Sequence, residues 1–210
     1  MPKNFDIGRW VGIALYLLFA WQIASVLTSP EPEDGPIILN FVTLIEFEFI
    51  LVHSGIFMAL LPRRLSLIIF VPFTGVFALV MNSSIPGNAI LWLYLAVIFN
   101  RMRFAFSNPT PEAKGLNFAF SIIAAATYFL LVFIFSSGAG LVPRFGLTVS
   151  YLQSIGYEGN LYLDDSGPIF GGLAHPALAM GVIYFSLIAI YDLIIPRWAD
   201  GMLIPEKFTF

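Results

Sequence analysis

The stretch "IILNFVTLIEFEFILVHSGIFMALL", Ile37 to Leu61, decides the fold. A bilayer crossing needs roughly 20 mostly apolar residues, and this run is long enough. Its "EFEF" core alternates like a β-strand. In hydrocarbon a lone strand leaves its backbone N–H and C=O groups without partners, whereas a helix satisfies them within the segment. The run therefore reads as a membrane-spanning helix. The question becomes why it carries Glu46, Glu48 and His53.

The rest of the chain repeats the pattern. Its 210 residues are 59% hydrophobic and 11% charged, where a soluble domain carries about 25% charged residues. Apolar runs alternate with short polar links, which predicts an all-α, polytopic membrane protein of about six spans. They are Trp10–Thr28, Ile37–Leu61, Leu65–Met81, Ala89–Asn100 with both flanks, Leu116–Phe135, and a last run ending at Ile195. The fourth is the shortest. The first has a basic start, but it is too long for a signal peptide and no small-residue cleavage site follows, so it reads as a retained helix.

Charge sets the orientation. Lys3, Arg9, Arg63, Arg64, Arg101, Arg103, Lys114, Arg197 and Lys207 fall on one side of this arrangement, and only Arg144 on the other. The positive-inside rule assigns the basic side to the cytoplasm. Both termini are then cytoplasmic, in the cell or inner membrane. The acidic links, with Glu31, Glu33, Asp34, Glu158, Asp164 and Asp165, lie on the non-cytoplasmic side. Residues 1–210 form one helical bundle domain. Its outer loop, 138–167, contains "LTVSYLQSIGY", whose helical spacing of Leu147, Tyr151, Leu152 and Ile155 suggests an interfacial helix.

Several functions are disfavoured. A net charge of −3 argues against nucleic-acid binding, which requires clustered positive charge. Without Cys there is no thiolate metal site, disulfide or thiol chemistry. No nucleophile elbow, phosphate loop, H-E-x-x-H or dinucleotide fingerprint occurs, which argues against an enzyme.

The charged residues of the second span separate by angle. At 100° per residue Glu46 and Glu48 point to nearly opposite faces. Glu46 shares a stripe with His53, and this pair is the candidate proton or ligand site. Glu48 shares another with Gly55 and Ala59, a small-xxx-small pattern that marks a helix-packing seam. His53 and His175 are the only histidines and the only candidates for a haem, pigment (chlorophyll) or metal ligand. His53 lies deep in its span, while Pro176 starts a span-length run that puts His175 at the helix mouth, near water. That difference in depth disfavours a shared iron, and it disfavours a metal held by Glu46, His53 and His175 together.

Three functional classes follow. The first is a non-catalytic accessory or scaffold subunit of a larger membrane assembly, partnered by lipids and by other membrane subunits or further copies of itself. The second is a small proton-coupled transporter or channel using Glu46 and His53. The third is a haem, pigment or metal carrier through His53 or His175.

Overall fold

A computed structural model describes residues 7–60, 63–83, 88, 91, 92, 94, 95, 111–157 and 173–201. Within α2, the side chains of His53, Gly55 and Ala59 fall outside the described set. Every regular element among the described residues is helical: α1 (Ile7–Thr28), α2 (Gly35–Leu60), α3 (Arg63–Ser83), α4 (Pro111–Ser137), a 3-10 turn (Ala139–Leu141), α5 (Val149–Ser154) and α6 (Ala174–Gly201). Four are long and apolar enough to cross a membrane, over Trp10–Thr28, Gly35–Val52, Phe118–Ser137 and Ala174–Ile194. The apolar part of α3, Ile68–Ser83, is shorter. Most of the predicted fourth span lies outside the described residues.

Local chemistry explains the helix ends. After α1 the chain meets Pro30 and Pro32, which cannot continue the backbone ladder. Asp34 then starts α2: its carbonyl accepts from Ile38 N at 2.8 Å, and its carboxylate accepts from Glu31 N at 2.8 Å. Pro72 lies inside α3, yet the helix runs through it. Membrane helices tolerate this when other groups restore the lost partners. Pro72 has no N–H to offer the Ile68 carbonyl. Around it the Thr74 hydroxyl donates to Phe70 O at 2.6 Å and the Tyr94 hydroxyl donates to Val71 O at 2.6 Å, side-chain bonds added to the helix next to the proline. Gly75 makes room for that phenol, since a Cβ there would meet Tyr94 Oη at 3.1 Å.

The helices α2, α4 and α6 touch one another pairwise, α1 runs along α6, and α3 packs on α2. Small residues set the closest approach. Ala174, Ala177 and Gly181 of α6 are buried, and a Cβ on Gly181 would lie 2.5 Å from Ile45 Cδ1 and 3.3 Å from Ile23 Cδ1. Thus α1 and α2 both close onto α6 through one glycine, the small-residue packing that membrane helices rely on. Aromatic contacts fill the remaining gaps: Phe185 meets Phe19 at 5.6 Å, and Phe49 meets Phe129 at 5.7 Å.

The outward faces of α3 and α4 carry large apolar side chains, with Ile68 and Phe133 each 70% exposed. In water such surfaces would associate; in hydrocarbon they are solvated.

The loop that follows α4 folds back over one end of the bundle. Gly146 N donates to Leu27 O at 3.0 Å, and the Tyr151 hydroxyl donates to Glu31 O at 2.6 Å. The helix expected in this loop is the short α5. Its N-cap is Thr148, whose hydroxyl accepts from Tyr151 N at 3.2 Å. Leu147, Leu152 and Tyr157 are buried, so this segment packs inward onto the α1–α2 link. Residues 158–172, with Glu158, Asp164 and Asp165, lie outside the described residues.

Candidate intramembrane carboxylate site

The polar groups of α2 sit at mid-height. Glu48 lies about 20 Å along α2 from Gly35, at 1.5 Å per residue. Measured from the same end of the bundle, Tyr184 of α6 and Tyr128 of α4 lie about 15 Å and about 14 Å in. These depths bring three helices together around the carboxylates.

Glu48 is 2% exposed. The Tyr184 hydroxyl donates to its Oε1 at 3.0 Å. The Tyr128 and Tyr184 rings meet edge-on at 5.4 Å, and the Tyr128 hydroxyl donates to Ile45 O at 2.8 Å. Glu48 therefore sits in a tyrosine-lined pocket between α2 and α6, which adds a specific polar contact to the packing role the sequence suggested. Its seam companions Gly55 and Ala59 have side chains outside the described set.

Glu46 differs. It is half-buried, and its Oε1 is enclosed with no hydrogen-bond partner among the described residues. Both carboxylates lie within electrostatic reach of the Tyr128 phenol, although the helix points them to opposite sides. Tyr128 has committed its proton to the Ile45 carbonyl, so it supplies no donor to Glu46 in this arrangement. An enclosed carboxyl oxygen of this kind is satisfied by a bound proton, a cation or water. The proposed companion His53 has its side chain outside the described set.

Tyr128 and Tyr184 were not singled out from sequence. Each is one aromatic in an apolar run, and nothing local distinguishes a donor from a space-filler. The usable signal was physical: a buried carboxylate requires donors, and tyrosine is the apolar run's natural source of one.

His175 also departs from expectation. It is 3% exposed, not near water, because the 3-10 turn and the following loop cover it. Its ring lies beside the carbonyls of Ala139 and Val142, within electrostatic reach of Arg144. Helix α6 begins at Ala174, so Pro176 occupies its third position, not its first. His53 lies about 27 Å along α2 and His175 about 2 Å along α6 from the same end of the bundle. Among the described residues no three His, Cys, Asp or Glu side chains converge as metal ligands.

Two further polar side chains have a place. The Asn82 amide, in "NSS", donates to Asn88 Oδ1 at 3.3 Å and accepts from Leu91 N at 3.4 Å, so it is tied into its own turn. Asp192 is half-buried near the far end of α6.

Comparison with protein-family models, with curated proteins and with solved structures finds no match. The functional reading rests on the chemistry of the site.

Proposed function

We propose that this chain is a multi-pass membrane protein of six spans with both termini cytoplasmic, and that its mid-bundle carboxylates handle protons or a small cation in a small transporter or channel. One observation carries the reading: the enclosed Glu46 Oε1 has no hydrogen-bond partner among the described residues. Burying a charge at mid-membrane costs roughly 2.5–3.5 kcal/mol on insertion scales, and such groups line ion and proton pathways. Glu48 holds its place through Tyr184, and Glu46 is the exchanging group.

The test is a sided proton-flux measurement in liposomes, comparing the wild type with Glu46→Gln and His53→Ala. Flux that collapses in Glu46→Gln supports the assignment. Wild-type flux equal to empty liposomes, or an unaltered Glu46→Gln, removes it.

A second reading, an accessory or scaffold subunit, draws support from the outward faces of α3 and α4. Only 22% of the Phe118–Ser137 window is buried, which leaves a broad surface for lipid or a partner helix. Stoichiometric co-purification of a second membrane protein from mild detergent supports this reading; a stable isolated monomer counts against it.

A further inference from the structure

We infer that the covered mouth of the bundle, formed by His175, Arg144 and the first turn of α6, binds a phosphate-class oxyanion. This site is separate from the mid-bundle carboxylates and does not depend on the function proposed for them. Three observations converge on it.

First, His175 and Arg144 lie within electrostatic reach of each other, and each carries an enclosed nitrogen without a hydrogen-bond partner among the described residues. His175 is 3% exposed, and its Nδ1 has no hydrogen-bond partner among the described residues. Arg144, within its electrostatic reach, has an enclosed Nη1 in the same condition. A guanidinium is always charged and offers a fork of donors suited to carboxylate and phosphate. Leaving one of those donors enclosed and unsatisfied is costly, so the geometry calls for an acceptor.

Second, His175 is the second residue of α6. The amides of a helix's first turn have no partners within the helix and favour negative charge. Pro176 supplies no N–H, which leaves Leu173, Ala174 and His175 as the backbone donors of this turn.

Third, the residues flanking Arg144 present apolar surface outward. Leu141 is 89% exposed and Phe145 52%, with Phe145 held at φ 50°. A non-glycine residue in the left-handed region is uncommon. The turn closes when Leu147 N donates to Arg144 O at 2.9 Å. Apolar side chains beside a half-buried cation suit a lipid phosphodiester at the membrane surface, and the same donors suit free inorganic phosphate.

The test uses the full chain in lipid-depleted detergent, read by its thermal unfolding midpoint. One arm titrates inorganic phosphate and the other a short-chain phosphatidylglycerol. The midpoint rises in one arm or both, and the arm identifies the source. Arg144→Gln and His175→Asn each weaken that response by about tenfold, the loss expected for one hydrogen bond to a charged group, while Arg144→Lys retains part of it. Helical circular dichroism checks that the variants fold, and either variant alone suffices. A flat midpoint in both arms overturns the site, as does a response in Arg144→Gln within about twofold of wild type. A response seen only after Asp164→Asn with Asp165→Asn also overturns it, because the chain's own carboxylates would then be the occupant.

Discussion

Glu46 and Glu48 are two residues apart on one helix, yet they occupy different environments. Glu48 faces α6 in the closed half of the bundle, where Gly181 lets three helices approach and Tyr184 supplies a donor. Glu46 faces away from that closed half and keeps an enclosed oxygen without a partner among the described residues. The same side chain is a structural cross-link in one position and a candidate exchanging group in the other. What separates them is 200° of helix rotation and the partner each rotation meets.

The largest expected effect breaks the closed half directly. Gly181→Leu forces a branched side chain against Ile45 and Ile23, an overpacking that costs about 1–3 kcal/mol or more. A lowered thermal midpoint in detergent is the expected result, and an unaltered midpoint would show that α6 is not held through this glycine. Tyr184→Phe is milder. It removes the donor to Glu48 Oε1, and interhelical hydrogen bonds in membranes average about 0.6 kcal/mol, with a maximum near 1.7. The fold should survive with a small drop in midpoint.

Glu46→Gln sharpens the contrast. It keeps the shape of the side chain and removes its charge, so it should destabilise the fold less than Glu48→Gln, which disturbs the bond from Tyr184, while proton flux is lost. Equal destabilisation by Glu46→Gln and by Glu48→Gln would erase the distinction between the two positions.

A pH effect belongs to the loop between α4 and α6. Burial, and secondarily the Asp34 carboxylate, push the Tyr151 phenol above its ordinary value of 10.0. A raised value favours the protonated phenol in the folded state. The contribution of its bond to Glu31 O is therefore whole below pH 10.0 and lost as pH climbs through the raised value. An ultraviolet titration of wild type against Tyr151→Phe should show the missing phenol ionising above 10.0; a transition at or below 10.0 would contradict the bond. The smallest effect is Phe133→Leu on the outward face of α4, within about 0.5 kcal/mol by the same midpoint measurement.

Much of the architecture was readable because hydrocarbon is a strict solvent. Long apolar runs can only be helices there, so α1, α2, α4 and α6 follow from hydropathy and length. The small residues Ala177 and Gly181 matter for the same reason: without a hydrophobic drive between helices, approach distance decides association. His175 was misplaced near water because its burial depends on residues 139–144. They are held over it through contacts such as Gly146 with Leu27, distant in sequence. Local periodicity carries no trace of that.

The sequence by itself determined that this is an all-helical, bilayer-length chain with two carboxylates pointing to opposite faces of one helix, because apolar length and helical rotation are local properties. Only the tertiary structure decided that Tyr184, 136 residues away, completes Glu48, and that a folded-back loop encloses His175 with Arg144. Hydrogen-bond partners in a bundle are chosen by which helices meet and at what depth, and those are properties of the packed chain.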